Sequence, residues 1–196
     1  MSEVHPRRFL RTIQTVAELI SEEQIDRLAA ELVQLRAREG RLFILGVGGG
    51  AGHASHAVND FRKLCNIEAY APTDNPSEIT ARVNDEGWET VFVEWLRVSH
   101  LGELDAIMIF SVGGGTEKVS VGLVRAIRYA KSRHATVMGV VGPKGGRTAD
   151  WGDVVIRVPV PIDLERWMTP ITEAFQAVIW HCLVCHPSLQ QNETKW

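Results

Sequence analysis

Two histidines and an aspartate, His53, His56 and Asp60, follow a glycine-rich turn in the segment LFILGVGGGAGHASHAVND, residues 42–60. His56 and Asp60 are four residues apart, so a helix carries both on one face. His and Asp in that relation hold a metal ion or move a proton. Before them, four glycines in five positions (Gly46, Gly48, Gly49 and Gly50) break an apolar run. Glycines between a strand and a helix let backbone amides approach an anion, and the helix N-terminus adds partial positive charge. A second segment, SVGGGTEK at 111–118, repeats the arrangement and adds the hydroxyls of Ser111 and Thr116. The chemistry on offer is anion binding at two loops, next to metal binding or proton transfer. Without a ligand, the histidines are surface groups and the glycines make tight turns.

The anion these loops suit is small. The run from Gly46 to Ala51 meets the dinucleotide pattern G-x-G-x-x-G only in its G/A variant. The acid expected about 20 residues on is at best Glu68, in or beside a strand. Neither loop ends in the Gly-Lys-Ser/Thr of a P-loop, so a phosphorylated small molecule fits better than a nucleotide. Cys182-Leu-Val-Cys185-His186 matches the haem-attachment pattern C-x-x-C-H. It lies inside an apolar helical pattern, where the cysteines read as small core residues.

The elements that must position these residues alternate. Phe9, Ile13, Val16 and Ile20 mark a helix over 4–20, and Ser21-Glu-Glu-Gln24 is a capping box for a second helix to about Arg38. Gly40 is expected to end that helix as a left-handed cap. Strands are expected at 42–46, 67–71, 106–110, 136–141 and 154–158. Helices are expected at 52–64, at 77–98 with a break near 84–87, at 117–132 and at 163–185, with GPKGGRTA a loop. The last helix shows an apolar stripe at Leu164, Met168, Ile171, Phe175, Val178 and Cys182. Buried strands alternating with helices imply an α/β fold, a doubly wound parallel five-stranded sheet covered on both faces.

The 196 residues suit one domain: a helical extension over 1–40, an α/β core over 41–186 and a polar tail over 187–196 expected to fray. A net charge of -3 leaves no basic footprint for nucleic acid. No stretch approaches the roughly 18 apolar residues of a membrane span. MSEVHPRRFLRTIQ lacks the apolar region of a signal peptide, and three cysteines suit a reducing cytoplasm. Trp88, Trp95, Trp167 and Trp180 read as packing or subunit-interface aromatics.

The order strand, glycine loop, helix and second Ser/Thr/Gly loop resembles the sugar isomerase (SIS) domain over nearly the whole chain. GVGGGAGHASHAVND, VNDEG (83–87) and VGPKGG (141–146) resemble the phosphoheptose isomerase branch. That resemblance implies the SIS fold, a phosphorylated sugar as substrate, and zinc at the subunit interfaces of a homotetramer. The family's His and following carboxylate fall on His56 and Asp60, with Asp in place of Glu. Its Gln and His, eight residues apart on the last helix, fall on Thr172 and Trp180 without a gap. A shift of one residue puts Glu173 and His181 there instead, both able to bind zinc. The family's Asn-Gly-Gly-Ser becomes Val47-Gly48-Gly49-Gly50, which leaves mainly backbone amides for the phosphate.

The reaction so implied moves a proton between adjacent carbons through an enediolate, which needs a base and an electrophile on the carbonyl oxygen. Asp60 or Glu173 is the candidate base, and His181 a proton donor or ligand. His56, Asp60, Glu173 and His181 are the candidate zinc ligands. Gly48, Gly49, Gly50, Ser111, Thr116 and Asp85 are the candidate substrate contacts, Asp85 being otherwise a helix N-cap. The alternative is a non-catalytic SIS-fold protein that binds a sugar phosphate or a protein partner such as a replication initiator, which the departures at Val47, Gly50 and Trp180 would suit.

Overall fold

The computed structural model describes residues 4–195. Helices α1 (His5–Leu19) and α2 (Glu22–Ala37) come first, and the Ser21 hydroxyl accepts from the Gln24 amide to start the second. Five strands follow: β1 (Leu42–Gly46), β2 (Ala69–Tyr70), β3 (Ala106–Ser111), β4 (Thr136–Val141) and β5 (Val154–Arg157). All pair in parallel, in the order β2-β1-β3-β4-β5. Between them run α3 (Gly49–Cys65), α4 (Pro76–Asp85), α5 (Val91–Val98), α6 (Val121–Ser132) and α7 (Gly146–Trp151), and α8 (Met168–Val184) closes the fold.

Side chains alternate across a strand, so both faces of this sheet must be apolar if both are covered. Ile44, Met108, Phe110 and Val140 point to one side and pack with Leu28, Leu32 and Leu35 of α2, Phe61 of α3, and Ile171 and Phe175 of α8. Phe43, Leu45, Ile107, Ile109 and Val137 point to the other and meet Phe92 and Leu96 of α5 and Leu123 and Ile127 of α6. The amino edge of the central strands is pinned by Arg41 and Asp105. Asp105 accepts from the Arg41 amide and Nε through Oδ1, and from Arg41 Nη2 (2.7 Å) and the Gly102 amide through Oδ2. These bonds sit at the start of the β1–β3 register, where Leu42 pairs with Ala106.

Several local expectations change. The left-handed residue ending α2 is Glu39 (φ 54°), not Gly40; a Cβ on Gly40 would collide with the Leu104 carbonyl, so this glycine serves close approach. Helix α3 starts three residues earlier than its pattern suggests and takes Gly49 and Gly50 into its first turn. Helix α6 starts four residues late, because the Thr116 hydroxyl accepts from the Lys118 and Val119 amides and holds a turn before it. Part of GPKGGRTA is helical, as α7. The tail does not fray over its first residues: Leu189 is buried, and the Gln191 and Asn192 amides bond the Leu64 carbonyl. Cys182 and Cys185 are exposed, not core. The buried face of α8 runs through Ile171, Thr172, Phe175, Gln176, Ile179, Trp180 and Leu183, which turns Val178 and Cys182 outward.

Burial alone would raise the Asp105 pKa, but its bonds to the Arg41 side chain and to the Arg41 and Gly102 amides outweigh burial and hold it below the usual carboxylate range. A depressed folded-state value contributes stability above that range and loses it as pH falls through the folded value. Asp105→Asn is therefore expected to cost about 1–3 kcal/mol at pH 7. In urea titrations the gap from the parent protein should narrow at acid pH; a gap constant from pH 7 to pH 3 would contradict this account.

Candidate active site

In a sheet of this order the chain leaves β1 and β3 in opposite directions, and a crevice opens at their carboxyl ends. Here it measures about 210 Å³ and is lined by the loops after both strands, with Ser120 before α6 and Glu173 and Gln176 from α8. The glycines create it in different ways. Gly48 caps α3 at φ 60°, ψ -124°, a backbone state that L side chains rarely adopt. Gly50 sits on the Phe110 carbonyl, where a Cβ would not fit, and this brings the first turn of α3 onto the end of β3. Gly49 faces Glu173, whose carboxylate would lie 2.6 Å from a Cβ there.

Helices α3 and α8 run side by side from the crevice, and three pairs mark their seam. Glu173 lies against Gly49 at the mouth. One turn on, His53 Nδ1 is 3.1 Å from Gln176 Oε1. Further along, the buried Trp180 donates its indole N–H to Asp60 Oδ2 at 3.1 Å, and Asn59 donates to Oδ1 at 3.0 Å. The Trp180 ring also packs against His53, His56, Phe110 and His181. Asp60 is thus a buried carboxylate with a donor on each oxygen, which a group with only acceptors requires.

His56 Nε2 and His181 Nε2 lie 3.5 and 3.6 Å from Asp60 Oδ2, and the three candidate ligand atoms are all within 4.8 Å of one another. Ligand atoms around a tetrahedral zinc with bonds of about 2.0–2.1 Å lie roughly 3.3 Å apart, so the trio is close to what an ion needs. His181 Nδ1 is 2.8 Å from the Ala177 carbonyl, an acceptor. In the neutral ring Nδ1 therefore carries the proton and Nε2 offers its lone pair to the group, the orientation a metal-binding histidine requires.

The site residues expected from the sequence separate on this geometry. His56, Asp60 and His181 come together, whereas Glu173 stands at the crevice mouth and outside the trio. The two registers on α8 each supply one neighbour of Asp60: Trp180 inward from the ungapped one, His181 at the flank from the shifted one. Thr172 is wholly buried, its Oγ1 without a partner. Ser111 lines the crevice and accepts from the Gly114 amide. Gly50 also lines it, while Gly48 and Gly49 shape the α3 N-terminus beside it. Thr116 is not among the lining residues, since its hydroxyl holds the turn before α6. Asp85 is the last residue of α4, exposed and bonded to the Asn84 side-chain amide, so it caps no N-terminus and does not line the crevice. Ser120 and Gln176 join the site without having been expected there. Ser120 lies beyond the glycine motif, but Gln176, a lone amide in an apolar helix, is a signal open to notice.

No profile of a known family matches the chain. Individual relatives do. Phosphoheptose isomerase from Roseiflexus sp. is 32% identical over 154 residues, 76% of this chain and 73% of that protein. The lincomycin biosynthesis protein LmbN of Streptomyces lincolnensis is 34% identical over 150 residues, 70% of this chain; the match spans only about half (52%) of LmbN. Phosphoheptose isomerase GmhA from Neisseria gonorrhoeae superposes with a TM-score of 0.78 at 24% identity, covering 92% of this chain and 93% of that one, a likeness of fold. The chain has the sugar isomerase (SIS) fold of sugar-phosphate isomerases. Within that class it belongs to the phosphoheptose isomerase family, and these relatives favour an enzyme over the non-catalytic alternative.

Close packing at Gly50 and open space at Gly52 give opposite expectations for the same change. Gly50→Ala pushes a methyl into backbone and should cost about 1–3 kcal/mol. Gly52→Ala, on the exposed side of α3, should be neutral or gain up to about 1 kcal/mol. Thermal unfolding of both variants checks this; equal melting temperatures would contradict the packing.

Proposed function

We propose that this protein is an aldose–ketose isomerase of a phosphorylated sugar, with a heptose phosphate such as sedoheptulose 7-phosphate as substrate. The observation that carries the proposal is the trio His56, Asp60 and His181, set along a helix seam from an anion-sized crevice. The phosphate lies in that crevice, where Ser111 and Ser120 offer hydroxyls. Ser120 makes no side-chain capping bond, which leaves the first amides of α6 for an anion. Gly48 to Gly50 place the N-terminus of α3 beside it, although Glu173 holds negative charge over part of that end. Thr116 and Asp85 have no direct role in this chain's own crevice.

His56, Asp60 and His181 would hold zinc, with the Trp180 indole orienting Asp60 from behind. Bound there, zinc supplies an electrophile for the sugar's carbonyl oxygen. Asp60 takes the proton from C1 of the ketose and returns one to C2, while O1 gives up its proton to solvent and O2 takes one from it. His181, with Nδ1 bonded to the Ala177 carbonyl and Nε2 turned to the trio, serves as a ligand. Asp60 is favoured over Glu173 as base because it shares the trio with His181, whereas Glu173 lies at the phosphate end. Both histidines are about half exposed, with side-chain exposures of 57% and 49%. A partner subunit would close the site, and the exposed Leu10, Leu19 and Val178 are surface that a homotetramer would cover. Among the described residues no helix is long and apolar enough to cross a membrane, which is compatible with a cytoplasmic enzyme.

Asp60→Asn keeps an oxygen for the Trp180 N–H, so the fold should survive while turnover falls about 10²-fold or more. Turnover at the parental level would remove Asp60 from the mechanism. Elemental analysis should find about one zinc per chain, lost in His56→Ala, because three ligands are the fewest a catalytic zinc site uses. Equal metal content in the two proteins would remove His56 from the site.

A further inference from the structure

His53 has no place in the trio, yet it is more firmly held than a surface histidine needs to be. Its partner Gln176 is wholly buried and donates through Nε2 to the Val140 carbonyl at 3.2 Å. A carbonyl only accepts, so the Gln176 amide cannot be turned round without setting two oxygens against each other. Gln176 Oε1 must then face His53 Nδ1, at 3.1 Å. An oxygen there requires a proton on Nδ1, and the neutral ring is left with a lone pair on Nε2. The ring packs against Trp180 at a tilt of 57°, with centroids 5.1 Å apart. Strand β4 thus sets the tautomer of a half-buried ring on α3 through one buried amide.

The position of this ring along the seam is equally specific. Gln176 lines the crevice on one side of it, and Trp180, on the other, bonds Asp60. A ketose 7-phosphate carries its reacting carbons C1 and C2 at one end and its phosphate at the other. With the phosphate in the crevice and C1–C2 at the trio, the middle of the carbon chain passes His53. We infer that His53 is a substrate-positioning residue that accepts a hydrogen bond from a mid-chain hydroxyl of the sugar through Nε2, and that Gln176 acts through it by fixing its tautomer. This inference rests on the isomerase reading above.

Two measurements test it. A two-bond proton–nitrogen spectrum of the imidazoles in the intact protein should show neutral His53 with its proton on Nδ1; a proton on Nε2 would overturn the relay whatever the protein's activity. In steady-state kinetics with sedoheptulose 7-phosphate, His53→Ala should raise KM about tenfold, the loss of one hydrogen bond, with kcat within about threefold. Zinc content should stay at the parental value, while the melting temperature falls modestly because the buried Gln176 oxygen loses its partner. An unchanged KM, a fall in kcat at constant KM, or loss of zinc would each overturn the positioning role. If the parent protein turns over no sugar phosphate, the isomerase reading itself fails, and the spectrum still decides the tautomer on its own.

Discussion

The site depends on the contact between the first turn of α3 and the end of β3. Gly50 has only hydrogen where another residue would meet the Phe110 carbonyl, so the helix starts directly above the strand. That places the α3 N-terminus at the point where strand order reverses, and it fixes the angle from which α3 meets α8. His53, His56 and Asp60 then fall along the seam at successive turns, opposite Gln176, Trp180 and His181. A longer side chain at that one position would move every group of the site together.

Asp60 shows how the seam balances conflicting demands. Its carboxylate is buried, which is costly for a charge, and it is retained with one donor on each oxygen from Asn59 and Trp180. Those donors leave Oδ2 facing the two histidine nitrogens. Trp180 thus fills the space between the helices and supplies a polar contact that an aliphatic residue could not. With Asp rather than Glu at this position the carboxylate stays close to α3, and His181 approaches it from the exposed flank of α8.

Much of the fold is legible in the sequence because its causes are local. Alternating apolar runs of strand length and amphipathic helices imply the parallel α/β architecture, and the glycine loops place the crevice. What is not legible depends on distance in space. The apolar stripe expected on α8 includes Val178 and Cys182, but the buried face instead includes polar Thr172 and Gln176 as well as Trp180. A pattern of hydrophobicity cannot anticipate a buried glutamine whose partners, Val140 and His53, come from elsewhere in the chain. The same reason explains the two registers for the last pair of site residues: spacing offers Thr172 with Trp180 or Glu173 with His181, whereas packing sets Trp180 and His181 side by side at Asp60. Gly40 departs from expectation because it meets the Leu104 backbone, far away in sequence, whereas Thr116 is taken up by a local turn with the Lys118 and Val119 amides.

The central claim is that this seam moves a proton between adjacent carbons of a phosphorylated sugar. Incubation with sedoheptulose 7-phosphate in deuterium oxide, followed by proton NMR, tests it most directly. The account predicts conversion to the aldose with solvent deuterium at C2, because an enediolate intermediate exposes the transferred proton to exchange. Neither conversion nor deuterium uptake at high concentrations of zinc-loaded protein would contradict it.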